Sequence, residues 1–584
     1  MVKRKSRPSM MQKTALCAML LMLTVIGYTM LMFALHIPMS AYNAVVPVAG
    51  IAVYSVLFDR KMLRSLVICL VVLIIWAIIC SKIFDWSYDG MYYHKQAVIT
   101  LAEGWNPLYE SSAAAQPLNS NANLLMWLDN YPKGVWICSA AIYIVTDFLE
   151  TAKSVNILFI LMLFCLAYST FRTVFGAGRI RAGIFAAASC INPVFISQLF
   201  TSYNDLAVGV LIISAAFIGM KIYSRRANMS DYALLFCVTA MSCLVKFTAP
   251  LLVGLVLIAY GIGYAIKLSG VKIALPNFIK SAKNAEGFAE DIFSEMKSFA
   301  GNVLPKRFGD VLPKFKKPAI FILSGFLIGT VLLGFDPYIK HIANGQNLVY
   351  PVLGENSYDI MNTNPPEGLY NKPEFVKYFL ALASQTSNNI NEKYKLKIPF
   401  TAHAGELDYI SNADTRLGGF GVWFSGIFLL AILAAAWASF ILHRKMKREI
   451  MILLITFLAL GLFFPEAWWA RYASYTFYIP LFLLFYASEQ PIVRPAAYAT
   501  VLMIAVNSFI NTVCVVRDGR EVTDNINVVL NDIKAQNKRI EVRINDFPSH
   551  LKLFEETGIP YVIAPDSISD ETVFYRDTKY RFID

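Results

Sequence analysis

The chain has 584 residues, of which 57% are hydrophobic and only 16% are charged, and its mean hydropathy is +0.52. Soluble globular chains are about one quarter charged, so this composition excludes an ordinary soluble protein. The formal net charge of +12 suggests nucleic acid at first sight, but the basic residues lie in the positions of cytoplasmic loops, and no nucleic-acid partner is expected.

Apolar runs of about 20 residues, long enough to cross a bilayer as helices, recur from one end of the chain to the other. The first run follows Lys3, Arg4 and Lys5 and has no small-residue cleavage site, so it is predicted to be a retained span and not a signal peptide. The sequence therefore predicts an all-α polytopic membrane protein in the bacterial plasma membrane. Its thirteen predicted spans are about 14–35, 41–58, 65–84, 153–171, 182–200, 205–223, 231–246, 249–267, 318–336, 419–442, 449–464, 472–488 and 495–516.

The basic residues indicate which loops are cytoplasmic, because Lys and Arg accumulate on that side. They predict a cytoplasmic N-terminus and an extracytoplasmic C-terminus. The cytoplasmic loops are then 59–64, 172–181, 224–230, 268–317, 443–448 and 489–494. Their basic residues include Arg60, Lys61, Arg172, Arg179, Arg181, Arg225, Arg226, Arg444, Lys445, Lys447, Arg448 and Arg494.

Residues 135–148 are apolar enough to be a fourteenth span. Counting them would place Arg172, Arg179 and Arg181 outside and would reverse every later loop. We therefore predict a short helix that lies at the outer interface.

Three regions complete the predicted organisation. Residues 1–64 hold two extra N-terminal helices, and residues 65–516 form a transmembrane catalytic module with outer loops 85–152 and 337–418. Residues 517–584 alternate helix-like and strand-like stretches, which predicts a small extracytoplasmic α/β domain.

Unusual polar residues collect at the predicted outer ends of four spans. The first group is Ser87-Tyr88-Asp89-Gly90, and Asp205 follows a later span. Lys246 ends another span, and Glu466 and Arg471 follow the span 449–464. Ionisable groups at a membrane boundary are costly unless they are paired or hydrated, so their meeting on one face predicts a functional site.

The order of these motifs resembles the GT-C glycosyltransferases, in particular the branch of protein O-mannosyltransferases and lipid A aminoarabinose transferases. The motifs are Tyr88-Asp89 early in the first outer loop, Tyr131-Pro132-Lys133-Gly134, the outer Asp205, Leu244-Val245-Lys246-Phe247-Thr248, and Arg471-Tyr472 followed by Pro480. The resemblance covers roughly residues 65–490. One departure is that many relatives carry adjacent Asp and Glu in this loop, whereas here Asp89 is followed by Gly90.

The resemblance implies transfer of a sugar from a polyprenyl-phosphate carrier to an extracytoplasmic acceptor, which would be a glycan, a lipid or a protein. Asp89 is the candidate catalytic base. Lys246 and Arg471 are candidates for binding the phosphate. Asp205 would orient the acceptor or help to hold a divalent cation, and no set of metal ligands is predicted. Tyr88, His94 and Glu466 are further candidate substrate-binding residues.

Each of these residues also has a structural interpretation. Asp89 could be a turn residue, and Asp205 could cap the N-terminus of a helix. Lys246 could be a lysine whose side chain extends toward the membrane interface. Arg471 could help to set the membrane topology or pair with Glu466, and His94 could be an ordinary histidine at the membrane interface.

Two other functions remain open from the sequence. A transporter or flippase of lipid-linked sugars would often show internal repeats and helices broken at the midplane, and the sequence shows no repeat. A polymerase or ligase of lipid-linked glycans would share the outer site and the lipid donor.

Overall fold

The computed structural model describes residues 8–115, 122–269, 304–355, 357–358, 364–564 and 571–583. The basic N-terminal residues Lys3, Arg4 and Lys5 and most of the predicted inner loop 268–317 lie outside the described residues.

Most of the described chain is helical, as the composition predicts. Within the described residues, eight helices are long and apolar enough to cross a membrane, and each coincides with a predicted span. They are Met10–Ala34, Arg60–Cys80, Leu149–Thr173, Asp205–Tyr223, Thr248–Leu268, Pro313–Leu332, Phe424–Ile441 and Arg494–Ala535.

Shorter helices occupy the other five predicted spans, so the count of thirteen crossings stays a prediction. These helices are Tyr42–Phe58, Arg179–Cys190 with Pro193–Gln198, Met229–Val245, Arg448–Phe463 and Tyr478–Ala487. Among the described residues, six further α-helices lie in the loops and the tail: Lys95–Ala102, Ala122–Asn130, Gly134–Thr146, Lys340–Ala343, Glu374–Ala383 and Leu551–Thr557.

The helix bundle has two chemically different ends. At one end, which we call the basic end, the carboxylate of Glu489 binds Arg444 at 2.6 Å, Lys447 at 2.9 Å and Arg181 at 3.8 Å. The opposite end, which we call the site end, carries the loops that contain Asp89 and Arg471. The described basic residues of the predicted cytoplasmic loops thus lie away from the candidate site.

The predicted span 182–200 is broken in the structure. Its first helix ends at Cys190, and Asn192 caps a second helix that begins at Pro193. Proline has no amide hydrogen and cannot continue the preceding helix. The carbonyls freed by the break are satisfied from other helices, since the Tyr478 hydroxyl donates to Ser189 O at 2.8 Å and Ser508 donates to Ile191 O at 2.6 Å.

The segment predicted to lie at the outer interface forms the helix Gly134–Thr146, which has 13 residues. Lys133 at its start binds Asp336 at 3.2 Å, and the ring of Tyr143 near its end lies 5.9 Å from the ammonium of Lys552 in the tail. Both contacts are at the site end, so the helix does not cross the bundle. It differs from the expectation in being buried by neighbouring helices, because most of its residues, including Trp136, are covered by protein.

The small C-terminal sheet predicted for the tail is present. Its strands are β1 Arg539–Arg543, β2 Tyr561–Ile563, β3 Thr572–Tyr575 and β4 Thr578–Ile583. The strand order is β2-β1-β4-β3, in which β1 pairs with β2 in parallel, while the pairs β1–β4 and β3–β4 are antiparallel.

A single helix carries this tail. Arg494–Ala535 has 42 residues, about 63 Å at 1.5 Å per residue, which is twice the roughly 30 Å hydrocarbon thickness. It runs without interruption through residue 517, where we predicted the tail to begin. The tail then docks on the first loop, where Ser549 donates to Met91 O at 2.7 Å and Leu149 N donates to Glu556 at 2.8 Å.

Candidate active site

A cavity of about 1000 Å³ opens at the site end of the bundle. The first loop, the loop that precedes Phe424, the segment after Phe463 and the tail all contribute to its walls. Its aromatic lining residues are Trp86, Tyr88, Tyr92, Tyr93, Trp127, Tyr131, Phe247, Tyr358, Trp469 and Tyr472. Its charged lining residues are Asp89, Lys246, Asp414, Arg416, Glu466, Arg471, Asp546 and Arg576.

A buried charge cluster anchors the loop that carries Asp89. The carboxylate of Glu150 forms ion pairs with Lys95 and Lys153, and it accepts a hydrogen bond from Asp85 N at 2.9 Å. Asp85 in turn accepts from Ser202 N at 2.7 Å. Because these groups are almost fully buried and mutually paired, they fix the loop against the start of the Leu149–Thr173 helix.

The turn that carries Asp89 has no space for a side chain at position 90. A Cβ atom at position 90 would lie 2.2 Å from Ser87 Oγ and 2.5 Å from Asp85 Oδ2. No larger residue fits there without moving the hydrogen-bonded turn. A second acidic residue directly after Asp89 therefore has no space in this chain.

Arg471 is the centre of the charged site. Its Nη1 atom lies 3.0 Å from Asp89 Oδ2, 3.1 Å from Asp414 Oδ1 and 3.8 Å from Asp205 Oδ2. Its guanidinium carbon also lies 4.4 Å from the centroid of the Trp469 ring. Three carboxylates and an aromatic ring thus hold one cation whose side chain is only 7% exposed.

Lys246 provides a second cation beside Arg471. It follows the helix Met229–Val245 in extended backbone, and its Nζ atom binds Asp205 Oδ1 at 2.6 Å. The same Nζ lies 4.1 Å from the centroid of the Tyr472 ring. Asp205 therefore contacts both cations and links the two helix ends that carry them.

Asp414 has the perturbed acidity expected of a carboxyl at the bottom of a cavity. Burial raises its pKa to about 6, with a further upward contribution from the negative charge of Asp89, although Arg471 and Arg416 oppose the change. Burial also raises the pKa of Glu466, whose Oε2 atom is buried without a hydrogen-bond partner among the described residues.

The residues do not fit a divalent cation as they stand. Among the described residues, no three His, Cys, Asp or Glu side chains are arranged to hold a metal ion. The guanidinium of Arg471 fills the space that Asp89, Asp205 and Asp414 surround.

The structure brings most of the predicted site residues together. Tyr88, Asp89, Lys246, Glu466 and Arg471 all line the cavity.

Two predicted site residues lie behind the cavity wall. Asp205 is buried and touches both cations from below. His94 does not line the cavity, because it is buried and its Nδ1 accepts a hydrogen bond from Trp136 Nε1 at 2.7 Å. Burial lowers the pKa of His94 to about 3, so it is a neutral packing residue at physiological pH. Glu466 forms no ion pair with Arg471, which pairs with Asp89 and Asp414 instead.

Sequence reasoning missed four charged residues of the cavity, namely Asp414, Arg416, Asp546 and Arg576. Asp414 and Arg416 directly precede a predicted span, in the same way that Asp205 does, and that position was a usable signal. Asp546 and Arg576 belong to the tail, and nothing local in the sequence indicates that the tail reaches the site.

Comparison with known proteins gives little independent guidance. No protein-family model matches the chain, and no curated protein matches it. A solved structure of the Archaeoglobus fulgidus oligosaccharyltransferase in its apo form is similar over 77% of this chain and 56% of that chain, with 12% sequence identity and a TM-score of 0.33. This chain thus spans little more than half the length of that protein, and a similarity at this level leaves its function to be argued from its own residues.

Proposed function

We propose that this protein is a membrane glycosyltransferase that transfers a single sugar from a polyprenyl-phosphate donor to an acceptor hydroxyl on the extracytoplasmic face. The observation that carries the proposal is the contact of Arg471 with Asp89 and Asp414, beside the Lys246–Asp205 pair, in one cavity at the ends of apolar helices. The polyprenyl-phosphate donor and the branch of transferases are inferred from the family that the sequence resembles.

Asp89 is the group best placed to act as the base. Its side chain is 23% exposed, whereas Asp414 is 17% and Asp205 only 4% exposed. In the reaction, the acceptor oxygen bonds to the anomeric carbon while the bond from that carbon to the phosphate oxygen breaks. The acceptor proton passes to Asp89, and the bonding pair leaves with the phosphate. General-base help of this kind is worth about 10²–10⁴-fold in rate.

Lys246 and Arg471 supply positive charge for the leaving phosphate. Negative charge grows on its oxygens as the bond breaks, and preorganised cations in a site shielded from water stabilise that charge. Arg471 has its orientation set in advance by carboxylates on its Nη1 and by Tyr472, whose hydroxyl accepts from Nη2 at 3.0 Å. No rearrangement is then needed during the reaction.

The cavity walls favour a sugar on a lipid carrier. Aromatic faces and amide side chains, among them Asn364 and Asn388, suit the faces and hydroxyls of sugar rings. Phe247 and Thr248 line the cavity where the helix Thr248–Leu268 begins, and Leu251 on that helix is 55% exposed. The cavity thus adjoins a helix face that is uncovered and apolar, as a prenyl chain in the bilayer requires.

The distribution of basic residues supports the proposed face. The basic end, with Arg181, Arg444 and Lys447, would face the cytoplasm by the positive-inside rule. The cavity lies at the opposite end and would open outside the cytoplasm.

Purified protein supplied with a panel of radiolabelled undecaprenyl-phosphate hexoses and pentoses tests the proposal. Wild type should release the sugar to an acceptor or to water, and Asp89→Asn should lower the rate at least about 100-fold while it inserts and folds normally. Asp147→Asn is the matched control, because Asp147 lies in the same loop region and is exposed.

Two results would count against the proposal. Full activity of Asp89→Asn would remove Asp89 as the base. Movement of the intact lipid-linked sugar across proteoliposomes, without cleavage, would identify a transporter instead.

A further inference from the structure

The tail domain contributes side chains to the cavity, although it lies outside the part of the chain that resembles glycosyltransferases. Asp546 and Arg576 both line the cavity wall next to Trp86 and Tyr88 of the first loop. The Tyr88 hydroxyl donates to Asp546 Oδ2 at 3.2 Å, and Arg576 Nη2 donates to Trp86 O at 2.8 Å. The tail is therefore built into the site.

Arg576 occupies a backbone position that its residue type disfavours. It is the first residue of the two-residue turn between β3 and β4, and its φ is +55°. Such turns prefer Gly, Asn or Asp, and other residues are strained there. Strained residues of this kind cluster at functional sites, where the side chain is needed despite the cost.

The turn is also braced toward the cavity. Asp577, the other residue of the turn, accepts a hydrogen bond from Asp546 N at 2.9 Å. The guanidinium of Arg576 lies 5.5 Å from the ring centroid of Phe547 and 5.9 Å from that of Tyr88. The turn and the Asp546 loop thus move as one unit, with a guanidinium and a carboxylate facing the same part of the cavity.

We propose that Arg576, Asp546 and the ring of Tyr88 form a binding subsite for the acceptor, and that the acceptor presents a neutral, hydroxyl-rich sugar ring there. A guanidinium and a carboxylate on the same wall suit hydroxyl groups, which both donate and accept hydrogen bonds, while an aromatic face covers the apolar face of a sugar. The opposite charges of Arg576 and Asp546 balance, so the subsite has no net attraction for an anionic ligand. The subsite lies on the tail side of the cavity, and the phosphate-binding cations Lys246 and Arg471 are carried by the membrane helices. This inference rests on the proposed glycosyltransferase function and identifies the acceptor class.

A glycine at position 576 tests the Arg576 side chain without straining the backbone. Arg576→Gly removes the side chain and relieves the positive φ, and this relief offsets the lost hydrogen bond to Trp86 O, so the variant should keep a melting temperature close to that of wild type. Asn537→Gly is the matched control, because Asn537 also has a positive φ, of 49°, in the tail, but it is exposed and does not line the cavity.

The experiment compares binding of neutral and acidic oligosaccharides of defined structure on a glycan array by full-length protein in detergent. Wild type and Asn537→Gly should bind neutral oligosaccharides, and Arg576→Gly and Asp546→Asn should bind them at least tenfold more weakly. Hydrolysis of the undecaprenyl-phosphate sugar to free sugar should be unchanged in Asn537→Gly, and in Arg576→Gly it should fall much less than glycan binding does, since the donor contacts lie elsewhere.

Several results would overturn the inference: binding that survives Arg576→Gly, binding of acidic glycans alone, or no glycan binding by wild type. A fall in donor hydrolysis equal to the fall in glycan binding would also overturn it, because Arg576 would then serve the donor. Donor cleavage by wild type upholds the proposed function whatever the array shows, so the two failures are distinguishable.

Discussion

At the scale of single residues, the site is an arrangement of cations and carboxylates that balance one another. Arg471 contacts three carboxylates, and Lys246 shares one of them, Asp205. Such networks lose more than one contact when any member is changed, because the partner that remains is buried and unpaired. A substrate phosphate would bind to cations whose positions the carboxylates already define.

Asp414 should make the stability of the protein depend on pH. Its pKa in the folded protein is raised to about 6 by burial, above the usual value of 3.8 for an aspartate. The folded state therefore keeps this proton longer than the unfolded state, and the resulting stabilisation is complete below about pH 4 and is lost as the pH rises through about 6. In Asp414→Asn this pH-dependent stabilisation is absent, because an amide does not take up a proton in this pH range.

Thermal unfolding in detergent between pH 4 and pH 7 measures this effect. The melting temperature of Asp414→Asn relative to wild type should rise with pH across that range. A difference that is independent of pH would show that Asp414 does not hold its proton as the cavity geometry predicts. Asp408→Asn, in the same loop but off the cavity, is the control.

At the residue level, the sequence singled out charged residues that end apolar runs. Asp89, Lys246 and Arg471 were found in this way, and the structure places all three around one cavity. His94 was misplaced, because its distance of five residues from Asp89 does not reveal which way a short helix turns its side chain. Asp414 was missed although it lies just before the predicted span 419–442, because the loop around it is polar and a charge there is not unusual.

At the scale of elements, the broken helix at residues 190–193 shows how a bundle tolerates irregular backbone. The freed carbonyls of Ser189 and Ile191 would be unsatisfied in lipid, and the hydroxyls of Tyr478 and Ser508 satisfy them from neighbouring helices. The break in turn brings Gln198 to the start of the next helix, where its side chain accepts from Leu206 N at 2.6 Å. Irregular backbone here is stabilised by specific partners.

Ser508→Ala should destabilise the protein by about 1–2 kcal/mol, because Ile191 O at the break loses its side-chain donor. Thr512→Ala is the matched control on the same helix, since its hydroxyl bonds only to Ser508 O one turn earlier. Chemical or thermal unfolding in detergent compares the two. Equal stability of both variants would contradict the role of Ser508.

The sequence predicts these elements well but not their interruptions. Hydropathy located the eight long helices because an apolar run of that length has few other structures open to it. The run 182–200 stayed apolar across Asn192 and Pro193, so hydropathy alone did not show the break. Whether a proline kinks a helix or ends it depends on partners that lie far away in the sequence.

At the scale of the whole molecule, the two ends of the bundle should face different compartments. Gly178 lies near the basic end in a loop where a Cβ meets no atom within 4 Å, and Glu110 is exposed at the site end. The native cysteines of the described chain are buried or partly buried, so they give a low background in cysteine labelling.

A membrane-impermeant maleimide applied to intact cells should label Glu110→Cys and spare Gly178→Cys until the cells are permeabilised. Labelling of Gly178→Cys in intact cells would reverse the proposed orientation.

The largest feature that the sequence did not predict is the docking of the tail on the first loop. Contacts such as Tyr88 with Asp546 and Met91 with Ser549 join residues more than 450 positions apart. Local patterns predicted the strands of the tail, because alternation is a property of neighbouring residues. They contain no information about which distant loop a finished domain will cover.

The helix Arg494–Ala535 acts as a spacer whose length fixes the height of the tail above the bilayer. Removing one residue from its polar half would turn the tail by about 100° and lower it by about 1.5 Å, which swings Arg576 away from the cavity. Removing seven residues nearly restores the rotation but lowers the tail by about 10 Å, into the space of the first loop. The helical part of 517–535 is thus constrained in its length, even at positions where its exposed side chains are free to vary.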